Sequence, residues 1–411
     1  MLDTLLVNPN NRLNSPLAAI EPPVWAGLIA SDLMHKGETV DILDAEASSL
    51  SVEQSVQAIR MSNPKRVIVV VMGNNPSVSS TPKIVVTKKL VEVIRNDFPT
   101  FVTGLHPSAL PEQTEKELGV KVLKSKIFDG TPSMPWELLN LWNYRTSTWH
   151  CLDGSSRSPY GATYTSLGCP FNCSFCNIHT LYGSRRVWYR EPSDVAAEID
   201  VLVQQHRVKN IKLWDELFTL NTEHVTELCN LLVERNYNLN IWAYARTGRV
   251  SRPLLELMRK AGIKWLAYGF ESSCDKALGE VHKRATIQET LDAVKMTHLA
   301  GINIIGNFLF GLDYDEETLD FAKSLELEYV NFYDVKPYPG SDIYNGNTDW
   351  KFYSQYSNSH SFRDKAFKDF FTGDEYLQRI ERRFGTQAIG QVEVMLKRGK
   401  PKDVSTLGAS A

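Results

Sequence analysis

The sequence predicts an α/β chain. An N-terminal doubly wound, Rossmann-like parallel sheet is followed by a partial (β/α)6 barrel of TIM type and a short C-terminal helical extension. Three observations carry this. Short apolar runs alternate with amphipathic stretches twice along the chain, with a break between the two series. The clearest run, RVIVVVMG from Arg66 to Gly73, is apolar almost throughout, as a strand covered on both faces is. The second series holds six strand–helix steps in about 180 residues, short of the eight steps and about 250 residues of a closed barrel.

Taken in order, TLLVNP (Thr4 to Pro9) reads as a buried strand. PPVWAGLIASDLMHKG reads as a helix, with prolines near its start, Gly37 at its stop, and Trp25, Leu28, Ile29 and Leu33 at roughly helical spacing. TVDILDA is a strand and VEQSVQAIRMS a helix. RVIVVVMG precedes the helix KIVVTKKLVEVIRND and the strands TFVTG and KVLKSKIF. These fill residues 1–128. Ligands of doubly wound sheets sit beyond the carboxyl ends of the strands, which here carry Asn8, Asp44, Gly73 with Asn74 and Asn75, and Gly104 with His106. Residues 129–159, rich in Pro, Ser, Thr and Trp, read as a wrapped linker.

From Tyr160 the second series begins and runs to residue 345. ATYTSLG is a strand leading into a cysteine cluster, and PSDVAAEIDVLVQQH is a helix. NIKLWD, a helix from Thr222, NIWAYAR, a helix from Arg252 and KWLAYGFES follow. Helical sequence then runs to Ala300, before NIIGNFLFG, a helix from Glu316 and YVNFYDV. Residues 346–411 form the helical extension and end in a loose tail, DVSTLGASA.

A net charge of -3 offers no strong field for nucleic acid or an anionic membrane. No apolar run approaches the roughly 20 residues of a membrane helix, and the start lacks a basic segment followed by an apolar core. A cytoplasmic chain is expected, in which thiols stay reduced and six cysteines point to metal or chemistry.

Half of those cysteines lie in SLGCPFNCSFC, as Cys169, Cys173 and Cys176. A closed zinc site wants four ligands, commonly from paired knuckles. Here there is one knuckle, one extra cysteine upstream, and His179 as the nearest further donor. An iron–sulfur cube normally takes four cysteines, so three leave one iron open to bind a molecule and pass it an electron.

The C-x-x-x-C-x-x-C spacing, with Phe175 before the last cysteine, resembles the signature of radical S-adenosylmethionine (SAM) enzymes. The resemblance implies a 4Fe–4S cluster on Cys169, Cys173 and Cys176, SAM on the open iron, and cleavage of SAM to a 5′-deoxyadenosyl radical. It places Phe175 towards the adenine, Asp215 and Glu216 (LWDELF) at SAM's amino group, and Arg246 (YARTGR) at its carboxylate. Glu271 and Ser272 (YGFESS) fall at the ribose, and the strand near Ile305 to Leu309 at the adenine. Each position also has an ordinary reading: helix caps for the acids and Ser272, a surface ion pair for Arg246, core packing for the strand.

A doubly wound domain ahead of such a barrel, with EPPVWAGLIASDLMHKGETVDILDA, GLHPSALPEQT and PYGATYTSLGCPFNCSFC, resembles the cobalamin-dependent radical SAM enzymes over roughly residues 4–345. The D-x-H-x-x-G motif of many corrinoid proteins is missing, since ILDAEASSLS has no histidine, and Leu167 stands where relatives often carry arginine. Asn74, Asn75, Ser77, Gly104 and His106 are the candidate corrinoid-facing residues; the alternative is that they are turn residues. The resemblance implies methyl transfer to an unactivated carbon or phosphorus of a small-molecule or peptide substrate, with an electron donor such as flavodoxin or ferredoxin. The rivals are a non-methylating radical SAM enzyme (epimerase, cyclase or rearrangement), a sulfur-inserting relative with a second cluster, and a zinc-stabilised binding module. The second cluster would need Cys151, Cys229 and Cys274, which are scattered in the sequence.

Overall fold

The first strand, β1 (Thr4–Asn8), is buried along its whole length and takes an interior place in a parallel sheet. In this computed structural model, residues 2–11, 17–124, 126–354 and 361–398 are described. After helix α1 (Val24–His35) comes β2 (Val40–Asp44), then α2 (Val52–Ser62), held by a capping box in which Ser51 and Gln54 satisfy each other's backbone N–H groups. There follow β3 (Arg66–Val70), α3 (Pro76–Ile94), β4 (Thr100–Thr103), α4 (Leu105–Ala109), α5 (Pro111–Leu118) and β5 (Lys121–Leu123). The order is β2-β1-β3-β4-β5, all parallel. The chain therefore reverses direction across the sheet between β1 and β3, which opens a crevice at their carboxyl ends.

Helix α3 begins at Pro76, earlier than the expected Lys83, and carries Pro82 inside it. Pro76 stands in the first turn, where a missing N–H costs nothing. The Ser80 hydroxyl accepts from the Gly73 N–H at 3.1 Å and that of Ser79 from the Asn75 N–H at 3.3 Å, so the loop after β3 is tied to the helix. The two short helices after β4 were not foreseen, because GLHPSALPEQT is dominated by turn formers. Gly104, at φ +113°, is required by packing: a Cβ there would lie 2.3 Å from the Val71 carbonyl oxygen. Gly104→Ala is expected to cost at least about 1–3 kcal/mol in chemical denaturation, from backbone strain alone.

The crevice floor is a buried polar network. The Lys83 ammonium donates to Asn8 (2.7 Å), Glu46 (2.8 Å) and the Met72 carbonyl (3.1 Å), which satisfies its three protons. Asn8 donates to Asp44 at 2.8 Å, and the Tyr144 hydroxyl donates to Asp44 at 3.0 Å. Burial and the neighbouring Glu46 push the Asp44 carboxyl up to about 6.

Tyr144 comes from the stretch read as a wrapped linker. It forms 3₁₀ turns at Trp136–Leu138, Leu141–Asn143 and Thr148–Cys151, and Met134, Trp136, Leu141 and Tyr144 are buried in the core. Its large apolar side chains make it packing material in the shared core.

The second sheet starts with β6 (Tyr160–Thr163). Where one strand was expected through ATYTSLG, the chain leaves the sheet at Tyr164, and β7 (Ser166–Leu167) is a separate short strand. The cause is Asp215, which accepts the Thr165 N–H at 2.8 Å in place of a neighbouring strand. Next come α6 (Ile178–Tyr182), β8 (Trp188–Tyr189), which pairs antiparallel with β7, and α7 (Pro192–Gln204). The barrel continues through β9 (Asn210–Leu213), α8 (Thr222–Arg235), β10 (Asn240–Ala245), α9 (Arg252–Lys260) and β11 (Ile263–Glu271). Helices α10 (Asp275–Glu280) and α11 (Ile287–Leu299) lead to β12 (Asn303–Phe310), α12 (Asp315–Ser324) and β13 (Tyr329–Asp334). The six barrel strands run β6-β9-β10-β11-β12-β13, all parallel, with no pairing of β13 to β6 among the described residues. This is the open, partial barrel expected.

Helices α13 (Ser361–Phe371), α14 (Asp374–Phe384) and α15 (Thr386–Arg398) pack against the barrel. Phe384 stacks on Trp265 at 5.8 Å, and Phe371 meets Tyr329 at 5.2 Å. The tail expected after them lies outside the described residues. No helix among those described is long and apolar enough to cross a membrane.

Candidate functional site

The cysteine loop leaves β7 through Gly168, at φ +102°, where a Cβ would come within 2.2 Å of the Arg186 carbonyl oxygen. The loop is held from several sides. The Gly168 N–H donates to Glu216 at 2.8 Å, the Ser174 N–H to the Val281 carbonyl at 3.0 Å, and the Asn177 amide to the Pro339 carbonyl at 2.9 Å. His179 bonds the Phe171 carbonyl through Nε2, so that nitrogen is engaged within the loop.

Cys169, Cys173 and Cys176 are free, half-buried thiols that line one cavity of about 270 Å³ at the barrel mouth. Burial pushes the Cys169 thiol up to about 12 and Cys176 to about 11, so metal loading must displace protons from both. No three of the described His, Cys, Asp and Glu side chains converge closely enough for one metal ion. A cube makes a different demand: three sulfurs spread around a common cavity, each bound to its own iron. The donor set fits that demand. Cys151, Cys229 and Cys274 do not line this cavity.

Asp215 and Glu216, at the end of β9, line the cavity and also hold the approach to the cysteines. Asp215 is fully buried and accepts the Thr165 N–H (2.8 Å), the Thr165 hydroxyl (2.5 Å) and the Ser166 hydroxyl (2.8 Å). Burial raises its carboxyl above the usual carboxylate range. Glu216 accepts the Gly168 N–H and, at 2.5 Å, the Tyr182 hydroxyl; burial pushes it up to about 7.

Arg246, at the end of β10, is 6% exposed. Its guanidinium lies 3.9 Å from the Phe171 ring centroid and donates to the Arg284 carbonyl at 3.1 Å, and it forms no ion pair with a carboxylate among the described residues. A buried cation without an anion, facing a cavity, is an open place for a carboxylate.

Glu271, at φ +66°, ends β11 and pairs with Lys283 at 2.6 Å; both line the cavity. Ser272 is buried outside it, and its hydroxyl accepts the Cys274 N–H at 3.3 Å, a turn just ahead of α10 that caps none of the helix's own N–H groups. Phe175 lines the cavity, as do Asn307 and Leu309 of β12.

Of the residues expected to face a corrinoid, Asn74, Asn75 and Ser77 reach this cavity, and Ser77 Oγ lies 3.9 Å from Cys176 Sγ. Gly104 and His106 do not line it. Gly104 is pressed onto Val71, and His106 is buried with its ring against Trp350 at 4.7 Å. Burial depresses His106 to about 3, so it stays neutral.

A second cavity, of about 830 Å³, was not visible in the sequence. It runs from the Rossmann loops at Asn11 and Asn74–Asn75, along the barrel lumen at Trp242 and Tyr244, to Arg363 and Lys397 of the C-terminal helices. The two cavities share Asn74, Asn75, Val78, Lys212, Tyr244 and Tyr333 as a common wall. Lys212, Lys283 and Tyr333 were missed by the sequence reading, whereas Asn307 lies in the stretch from Ile305 to Leu309 that it placed at the adenine. Each of the three missed residues stands alone in its segment with no motif around it, and only strand direction brings them to the site.

Residues 163–325 match the radical SAM superfamily model. An uncharacterized methyltransferase of Pyrococcus horikoshii is 23% identical over 396 residues, covering 84% of this chain and 83% of that protein. The anaerobic magnesium-protoporphyrin IX monomethyl ester cyclase of Rubrivivax gelatinosus is 25% identical over 391 residues, covering 83% and 69%. Among solved structures, the radical SAM methyltransferase TsrM of Kitasatospora setae, with tryptophan substrate and a SAM analogue bound, aligns with a TM-score of 0.69 at 17% identity, covering 97% of this chain and 99% of that one. TsrM with cobalamin and a 4Fe–4S cluster bound aligns at 0.66 and 18%, covering 84% and 74%. These likenesses establish the shared fold of sheet and barrel. Residues 163–325 thus form a radical SAM domain, which implies a 4Fe–4S cluster and SAM.

Proposed function

We propose that this radical SAM enzyme is a cobalamin-dependent methyltransferase acting on an unactivated carbon or phosphorus of a small-molecule or peptide substrate. One observation carries the reading: a cavity lined by three cysteines shares a wall with a larger cavity that reaches under the carboxyl-end loops of a Rossmann-like sheet. A relative named as a methyltransferase and the TsrM structure with cobalamin bound support it.

When bound, the cluster supplies the electron that cleaves SAM, and a corrinoid supplies the methyl group. The chain's own residues do the rest. Cys169, Cys173 and Cys176 would hold the cluster, and Arg246 would take SAM's carboxylate in a charge-assisted pair. Asp215 and Glu216 keep the cysteine loop in register through Thr165, Ser166 and Gly168. Phe175 and Leu309 give the cavity apolar walls that exclude water from a reactive radical. Asn74, Asn75 and the shared wall would meet the corrinoid. A cytoplasmic flavodoxin or ferredoxin would supply the electron.

The resemblance to a cyclase keeps a non-methylating radical enzyme as the second reading. Anaerobic reconstitution with iron, sulfide and hydroxocobalamin, then SAM and a strong reductant, separates the two. The methylase reading expects retained cobalt and both 5′-deoxyadenosine and S-adenosylhomocysteine. 5′-Deoxyadenosine with neither cobalt nor S-adenosylhomocysteine overturns it in favour of the second reading.

A further inference from the structure

Lys212, on β9, and Glu21, just before α1, form a buried ion pair at 2.7 Å that joins the barrel lumen to the Rossmann-like part of the chain. Their side chains are 2% and 6% exposed. The ammonium also donates to the Asn74 carbonyl at 3.0 Å and lies 4.8 Å from the Trp242 ring centroid. A lysine has three protons to donate, and among the described residues only two have acceptors. Glu21 uses one carboxylate oxygen on Lys212, and its Oε1 has no hydrogen-bond partner among the described residues. Both side chains line the 830 Å³ cavity, and Lys212 lies on the wall shared with the cysteine cavity.

The pair therefore presents one spare donor and one spare acceptor side by side, with no net charge. An anionic ligand group would be repelled by Glu21 and a cationic one by Lys212. A neutral group with a carbonyl next to an N–H satisfies both, and a carboxamide is that group. A corrin ring is fringed with carboxamides. Resting on the cobalamin reading, we infer that Lys212 and Glu21 form a subsite for one carboxamide side chain of the corrinoid, clamping it where the loop at Asn74 meets the barrel.

The test is equilibrium dialysis of hydroxocobalamin against anaerobically reconstituted full-length protein, with iron content and circular dichroism as fold controls. The double variant Lys212→Met/Glu21→Gln avoids a stranded buried charge. It is expected to bind on the order of tenfold to a hundredfold more weakly, the scale of hydrogen bonds to charged groups. A second arm uses cobalamins in which one side-chain amide is hydrolysed to the acid. One of them should bind the wild type poorly, through repulsion by Glu21, and recover in Glu21→Gln, an effect that simple loss of packing would not produce. Cobalamin affinity unchanged in the double variant, or no acid analogue rescued by Glu21→Gln, overturns the subsite while leaving the cofactor assignment intact. No cobalamin binding by the wild type overturns both.

Discussion

Replacing Cys173 by alanine is expected to abolish 5′-deoxyadenosine formation from SAM and to drop bound iron and sulfide to background. Cys173 shares one cavity with Cys169 and Cys176, and among the described residues no other cysteine lines it to take over. A cube held by two thiolates has two irons open, and its affinity is bound up with each deprotonated ligand it keeps. The matched control is Cys229→Ala. That thiol lies fully buried in α8, pushed up to about 12 by burial, away from the cavity. Its loss is a small core truncation of about 1 kcal/mol and leaves turnover in place. Iron analysis, the visible absorption band and chromatographic detection of 5′-deoxyadenosine read the outcome. Normal yield from Cys173→Ala would remove the cluster from this loop.

Asp215→Ala has the second largest expected effect, and it acts through the fold. The substitution strands three buried donors, the Thr165 N–H and the hydroxyls of Thr165 and Ser166. Each unsatisfied buried group costs about 1–3 kcal/mol. A total loss of about 3–5 kcal/mol is expected in anaerobic urea denaturation, together with poor cluster loading, because the segment from Thr165 to Gly168 aims Cys169. Asp215→Asn behaves differently. Its carbonyl oxygen can take the Thr165 N–H while its amide donates to the two hydroxyls, which turn round to accept. The asparagine variant is expected to keep most of the stability and the cluster. Equal damage from Asn and Ala would show that the negative charge, not the hydrogen-bond count, matters at this position.

Much of the architecture was legible because periodicity and burial coincide. Several strands, among them β1, β2, β4 and β9, fell where apolar runs ended in Asn, Asp or Gly, and the count of six strands indicated an open barrel. The misreadings trace to contacts between residues far apart in the sequence. The strand through ATYTSLG is cut by a carboxylate some fifty positions away, Asp215 bonding to Thr165. The stretch around Trp136 and Tyr144, read as a wrapped linker, lacks periodicity, so the burial of its aromatic side chains in the core could not be read from the sequence. His106 looked like a loop residue available to a ligand, but it is covered by Trp350, a contact that no local pattern announces.

The sequence by itself marked the cysteine loop, since the C-x-x-x-C-x-x-C spacing lies within eight residues and is therefore written locally. It also determined the order of sheet and barrel. Only the tertiary structure decided what surrounds that loop. Arg246 has no carboxylate partner among the described residues, Glu271 meets Lys283 across a strand end, and Lys212 meets Glu21 and the Asn74 carbonyl across 191 and 138 positions of chain. Parallel strands bring distant residues together at their carboxyl ends, and that convergence leaves no spacing in the sequence from which it could be read.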